Sequence, residues 1–143
     1  QVGGYFTEDP RYGIWGEDLE FFLRVARRFP VGLVDEVLTR YRRAQTGISS
    51  GNWRQIPESV PMHRMIVDRR DIWEGVVPRR VVVEAFAGAC RKNAAYWRGR
   101  GYPARAVWLA QYGLRTAPLS PGLFRELGLG LVRLALRPGG RRS

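Results

Sequence analysis

WGEDLEFFLR, residues 15–24, is the stretch on which the expected fold depends. From Glu17 to Phe29 apolar residues recur at helical spacing on most sides of the segment. This pattern predicts a mostly buried helix that Pro30 ends. The first turn carries two adjacent carboxylates, Glu17 and Asp18, directly after a glycine-rich loop. The pattern therefore places a pair of acids at the start of a buried helix.

Acids in this position are chemically useful, although most of them serve as caps. A helix N-terminus supplies positive potential and unbonded N–H groups, which keep carboxylates ionised. Adjacent helical residues point about 100° apart, so one acid can face a cavity while the other holds the loop. Taken alone, two acids in a first turn indicate ordinary capping. Any catalytic interpretation therefore depends on the surrounding sequence.

Motifs on both sides of the acid pair carry a family resemblance. In chain order they are Val2-Gly3-Gly4-Tyr5-Phe6, then residues 16–24, then Val37-Leu38-Thr39-Arg40-Tyr41-Arg42, then Ile48-Ser49. This string resembles the second half of family 2 glycosyltransferases of the GT-A fold, in which a Gly-Gly-aromatic loop, a Glu-Asp helix and a strand ending in Tyr-Arg follow one another. The resemblance covers residues 1–52. It implies an α/β fold, the C-terminal part of a nucleotide-diphospho-sugar transferase domain followed by an all-helical tail.

The resemblance also implies a role for individual residues. Asp18 would be the general base that removes a proton from an acceptor hydroxyl during attack on the anomeric carbon, and single displacement would invert the configuration. Glu17 would bind or orient the acceptor. The remaining implied contacts are made to the acceptor by Gly3, Gly4, Trp15 and Gly16, and to the donor diphosphate by Arg42. A core anchor for Trp15 and a surface ion pair for Arg42 explain those two residues about as well.

Partners and cofactor follow from the same resemblance. The expected partners are a nucleotide-sugar donor and a sugar or lipid-linked acceptor, in bacterial-type polysaccharide or glycolipid biosynthesis. A divalent cation, Mg or Mn, is expected for the complete enzyme, with ligands mostly outside this chain, because no Asp-x-Asp motif is present. The donor-binding half is missing, so we expect a fragment that is inactive alone. We assign no metal to this chain, since its single histidine, His63, has the pattern of a structural or exposed residue.

Residues 78–143 differ in composition from residues 1–77. The second part carries thirteen Lys and Arg against two Glu, whereas the first carries eleven Arg against eleven acids, so the net charge of +11 lies in the second part. We therefore predict an acceptor-side catalytic part over residues 1–77 and a basic helical extension over residues 78–143. Extended segments are predicted at 31–35 and 37–42, and helices at 58–73, 79–98, 104–116 and 121–136.

The basic extension leaves alternatives to the enzyme open. Arginines interleaved with aromatics between residues 96 and 105 are residue types that contact nucleic acids, but no nucleic-acid motif accompanies them, so we do not expect that partner. The last helix combines Arg125, Arg133 and Arg137 with apolar residues, so it could lie on an anionic membrane surface or pack on the catalytic part. The apolar candidates for a membrane surface are Leu123, Phe124, Leu127, Leu131, Val132 and Leu134. A non-catalytic module that binds such a membrane or nucleic acid is the alternative function.

The expected location follows from two further features. No stretch is long and apolar enough for a spanning helix. The single cysteine, Cys90, cannot form an internal disulfide, fits a reducing compartment and is expected to be a buried thiol. We expect a cytoplasmic protein, with peripheral contact at the inner membrane face as an option.

Overall fold

The computed structural model describes residues 17–40 and 59–136. These residues form six helices: α1 Glu17–Arg28, α2 Ser59–Asp68, α3 Arg70–Trp73, α4 Arg79–Gly99, α5 Pro103–Leu114 and α6 Pro121–Ala135. Helices take up 72% of this part of the chain, and it contains no strand. The architecture of the described residues is therefore all-helical.

Proline and glycine fix the ends of the longer helices. Pro103 and Pro121 stand in the first turn of α5 and α6, where the missing N–H is not needed and the fixed φ suits the helix. Gly101 has a φ of +83° in the turn between α4 and α5, a conformation that side chains with a Cβ rarely adopt. Because these signals are local, the predicted bounds of α4, α5 and α6 agree closely with the observed ones. The helix predicted at 58–73 is instead divided at Arg69.

A core of mostly small side chains joins α2, α4, α5 and α6. Phe86 and Cys90 of α4 and Leu123 of α6 are completely buried in it. The backbones approach closely, since a Cβ at Gly113 of α5 would lie 2.7 Å from Cδ1 of Leu123 and 2.9 Å from Cβ of Cys90. Val60 of α2 belongs to the same core. Packing thus crosses the boundary predicted between residues 77 and 78, and that boundary stays a prediction.

A smaller cluster attaches α1 to the bundle. Ile72, Trp73 and Val82 form this cluster, and Leu23 of α1 packs against it. The attachment is largely polar, because α1 contributes a single buried side chain among its residues 19–28, that of Glu20. The prediction of a mostly buried α1 is therefore wrong: Phe22 keeps 63% of its surface exposed.

The extended segments predicted after α1 are not strands where the structure describes them, over residues 31–40. Residues 31–40 lie exposed without regular structure, and residues 41–42 lie outside the described ranges. A strand needs a neighbour to pair its backbone N–H and C=O groups, and the described part of the chain offers none.

The absence of a sheet from the described residues overturns the family assignment. A GT-A domain is an α/β fold built on a sheet, whereas residues 17–40 and 59–136 contain helices and no strand. The predicted α/β fold class and the resemblance to family 2 glycosyltransferases are therefore wrong. The predicted glycosyl transfer, with its place in bacterial-type polysaccharide or glycolipid biosynthesis, depended on that resemblance and falls with it. The shared motifs are only a few residues long and consist of common residue types, so they can occur in a chain that lacks the GT-A fold.

Candidate functional site: the outer face of helix α6

The residues predicted for sugar transfer lie at or beyond the edge of the described chain. Glu17 and Asp18 form the beginning of α1. The predicted acceptor and donor contacts lie outside the described residues, namely Gly3, Gly4, Trp15, Gly16 and Arg42. The individual roles assigned to these residues stay predictions, with no sheet in the described chain to support them.

Metal-binding side chains do not cluster in the described part of the chain, where no three His, Cys, Asp or Glu residues lie together in a possible metal site. Nδ1 of His63 lies 2.5 Å from the carbonyl oxygen of Ser59, one turn earlier on α2. This contact is structural and gives the histidine a role within its own helix. The divalent cation expected for a complete transferase stays a prediction.

Cys90 is a buried thiol, as predicted. Burial raises the pKa of its thiol to about 12, and the charge of Arg64 opposes this shift only in part. The thiol is therefore protonated at neutral pH, whereas nucleophilic attack and metal binding require the thiolate. We assign this residue to the core.

The arginines and aromatics between residues 96 and 105 contact one another. The guanidinium of Arg105 lies 4.5 Å from the ring centre of Trp97 and 5.7 Å from that of Tyr102. Arg100 lies 5.2 Å from the ring centre of Tyr96. Each such stack contributes about 0.5–1 kcal/mol at an exposed site. These side chains therefore stabilise the turn between α4 and α5, which explains their pattern without a nucleic acid.

The inner side of α6 is fixed on α4 and α5. Leu123 is completely buried, and Glu126, which is 6% exposed, accepts a hydrogen bond of 2.9 Å from Nε of Arg98. Arg133 donates to the backbone carbonyl of Arg98 at 2.9 Å. A Cβ at Gly130 would lie 2.8 Å from Cγ2 of Val107, so the two helices are in close contact there. The last helix thus packs on the rest of the bundle.

The opposite side of α6 presents apolar side chains to solvent. Phe124 is 54% exposed, Leu131 49% and Val132 54%. These residues lie at helical spacing, and Leu129 and Leu136 widen the surface. We call this surface the outer face of α6; it comprises Phe124, Gly128, Leu129, Leu131, Val132, Ala135 and Leu136.

The charges near the outer face are positive. Arg125 is exposed among the apolar residues, and Arg133 is exposed at the edge of α6. Glu126 is the single acidic residue within Pro121–Ala135, and it is buried against Arg98 on the inner side. An approaching anionic surface would therefore meet apolar side chains and arginines but no carboxylate of this helix.

The sequence predicts α6 but not which of its sides faces outward. Leu123, Leu127 and Leu134 share the apolar pattern of Phe124, Leu131 and Val132, so all six are candidates for a membrane surface. Leu123 lies in the core, and Leu127 and Leu134 are partly buried. A helix that is apolar on most sides has no clear polar face to orient it. Glu126 and Gly130 could have marked the inner side, since each needs a close partner there.

In the described part of the chain no helix combines the length and the apolar character that crossing a membrane requires. Comparison of the chain with protein-family models, with curated proteins and with solved structures finds no match.

Proposed function

We propose that this chain is a basic helical module that docks peripherally on an anionic lipid surface through the outer face of α6. The observation that carries the proposal is the exposure of Phe124, Leu131 and Val132 on one side of a helix whose other side is packed. Because packing holds the helix in place, these side chains are presented together without an ordering cost at the membrane. Amphipathic helices with arginines beside the apolar face are typical of interfacial binding.

The expected binding free energies indicate that the chain attaches to the membrane reversibly. Complete burial of a large apolar side chain contributes about 1.5–3 kcal/mol, so three half-exposed residues supply several kcal/mol at most. Each arginine near an anionic surface adds about 1 kcal/mol, and that part is screened by salt. The expected binding is therefore weak to moderate and falls as the ionic strength rises.

Charge decides between a lipid surface and a second copy of the chain. Two copies that meet through their outer faces would bring Arg125 of each near the other, on chains that each carry a net charge of +11. Like charges in contact oppose association, whereas anionic headgroups neutralise them. An anionic bilayer is thus the better complement to this surface.

Co-sedimentation with vesicles tests the proposal. The full chain is expected to sediment with vesicles of equal parts phosphatidylglycerol and phosphatidylcholine, and much less with phosphatidylcholine alone. The double variant Phe124→Glu/Leu131→Glu should lose at least about tenfold in affinity, because two apolar contacts are lost and two negative charges are added. The matched control is Leu33→Glu/Val37→Glu, which makes the same charge change at exposed apolar residues far along the chain.

The control separates surface from net charge. Retained binding in the control supports the outer face as the docking surface. Equal loss in both double variants would mean that net charge alone drives binding, and the proposal would be rejected. Dimerisation through the outer face, measured by light scattering, together with absence of vesicle binding would assign this surface to a second copy instead.

A further inference from the structure

A cavity of about 350 Å³ lies between α2, the beginning of α4 and the end of α5. Four arginines line it together with one acid, Asp68, and the hydroxyl-bearing Thr116. The arginines are Arg64, Arg70, Arg79 and Arg115. We call this space the arginine cavity.

Protein carboxylates compensate only part of this charge. Arg64 pairs with Asp68 at 2.7 Å and donates to Oγ1 of Thr116 at 3.2 Å. Arg70, Arg79 and Arg115 form no ion pair with any residue of the described ranges. Guanidinium groups remain protonated at any physiological pH. The cavity therefore concentrates positive charge that the described part of the protein does not neutralise.

The position of Arg79 adds to this imbalance. It is the first residue of α4, whose first turn contains no acid. The positive end of a helix dipole disfavours a cation there. Arg79 is exposed to solvent and has no ion pair within the described residues, so an anion beside it would gain from both the guanidinium and the helix end.

A groove of about 870 Å³, partly apolar in its lining, adjoins the arginine cavity. The two spaces share Arg79, Val83 and Thr116. Beyond these residues the groove is lined by small and apolar side chains of α4 and of the segment after α5, namely Ala87, Gly88, Ala117, Pro118 and Leu119. Three charged side chains, Arg80, Glu84 and Arg91, also line it. A Cβ at Gly88 would meet no atom within 4 Å, so the surface of α4 is open to the groove at that residue.

We propose that the arginine cavity and the groove form one site for an organic phosphate, with the phosphate in the cavity and the apolar part of the ligand in the groove. Guanidinium groups match phosphate oxygens with paired hydrogen bonds. Thr116 Oγ1 accepts from Arg64, so its own hydroxyl hydrogen can be donated to the ligand. Inorganic phosphate would use the arginines but leave the groove without an apolar partner. The site therefore favours a phosphomonoester with a ring or short aliphatic part.

Calorimetric titration of the full chain with phenyl phosphate and with inorganic phosphate, at matched ionic strength, tests this site. Phenyl phosphate is expected to bind at least about fivefold more tightly, because its ring displaces water from the groove. Arg79→Gln/Arg115→Gln should weaken both ligands by about tenfold or more. The control Arg125→Gln removes an exposed arginine outside both spaces and should change neither affinity.

A groove-filling variant separates the two parts of the site. Gly88→Leu places a side chain in open space within a helix, so the fold is expected to tolerate it. Binding of phenyl phosphate should fall to the level of inorganic phosphate, whose own affinity stays unchanged. Equal wild-type affinity for the two ligands, or an equal loss in Arg125→Gln, would overturn the proposal.

The phosphate can come from a soluble metabolite or from a lipid headgroup. Vesicles that contain phosphatidic acid should displace phenyl phosphate if the headgroup occupies the site, and retained phenyl phosphate binding without displacement identifies a soluble phosphomonoester. Phe124→Glu/Leu131→Glu should leave phenyl phosphate binding unchanged, because those residues line neither space. The phosphate site and the proposed docking surface can thus fail separately.

Discussion

Glu20 is a carboxylate whose side chain has no exposed surface and lies between two arginines. Its Oε1 lies 2.8 Å from Nε of Arg24 and 3.1 Å from Nη1 of Arg69. A buried ion pair adds little net stability compared with an apolar contact, yet removal of one partner leaves the other charge less compensated. Without Glu20, Arg69 would keep its ion pair with Asp71 at 2.9 Å, whereas Arg24 would lose this carboxylate. Glu20 is therefore the buried polar contact that attaches α1 to the bundle, beside the packing of Leu23 and a hydrogen bond of 2.6 Å from Nη1 of Arg27 to the carbonyl oxygen of Glu74.

We expect Glu20→Gln to lower the free energy that holds α1 on the bundle by about 3 kcal/mol. Urea unfolding and hydrogen exchange of the α1 amides measure the loss. Glu84→Gln is the control, because Glu84 pairs with Arg80 at 3.6 Å with both side chains largely exposed. Its effect should stay below about 0.5 kcal/mol. Similar losses in the two variants would mean that the burial of Glu20 contributes nothing special.

The importance of Glu20 could not be read from the sequence. Adjacent acids after a glycine loop form a local pattern, which is why the sequence indicates a catalytic role for Glu17 and Asp18. Glu20 acquires its role from Arg69, a residue that is distant along the chain and reaches it only after α1 has packed near α3. Local patterns predict caps and periodicity, but they contain no information on which distant charge a side chain meets.

At the scale of elements, local signals predicted the helices and failed on the segment after α1. Pro103, Pro121 and Gly101 act through their own backbone geometry, so helix ends near them are readable from sequence. Alternation over residues 37–42 predicts a strand, but a strand forms only where a partner strand lies beside it. Residues 37–40, the described part of this segment, are exposed coil. Strand pairing is a property of the whole fold, which explains the wrong prediction.

Two glycines within helices, Gly88 of α4 and Gly113 of α5, allow the helix packing to be tested with the same change, glycine to alanine. Gly88→Ala adds a Cβ in open space, and the higher helix propensity of alanine should raise the free energy of unfolding by about 0.5–1 kcal/mol. Gly113→Ala adds a Cβ within 3 Å of both Leu123 and Cys90, so overpacking should lower it by about 1–3 kcal/mol. Thermal or urea unfolding compares them.

Each glycine variant serves as the control for the other, since both add one methyl group to a helix. Opposite signs are the expected result. Stabilisation of both variants would mean that α5 and α6 do not approach as closely as the contact of Gly113 with Leu123 indicates. Loss in both would mean that Gly88 is needed for packing, and the groove beside it would then not be open.

At the scale of the whole molecule, some arginines contact other residues and stabilise the fold, whereas others do not. Arg98 is used structurally, because its guanidinium pairs with the buried Glu126. Arg105 stacks on Trp97 and Tyr102. Arg79 and Arg115 have no such partner in the described ranges and line one cavity. With a net charge of +11, cations that do not stabilise the fold should weaken it through repulsion.

Salt and one pair of variants test this last point. Added NaCl, from about 0.01 to 0.15 M, should raise the free energy of unfolding by roughly 1 kcal/mol, because the Debye length falls from about 30 to about 8 Å and repulsion between more distant charges is then screened. Arg79→Gln/Arg115→Gln should be more stable than the wild type at low salt and should gain less from NaCl, since two uncompensated charges are gone. Arg98→Gln is the opposing control: it leaves Glu126 buried without its cation and should be destabilised at every salt concentration. If the double variant instead loses stability at low salt, Arg79 and Arg115 support the fold. If it gains stability, Arg79 and Arg115 destabilise the fold, and anion binding explains their position.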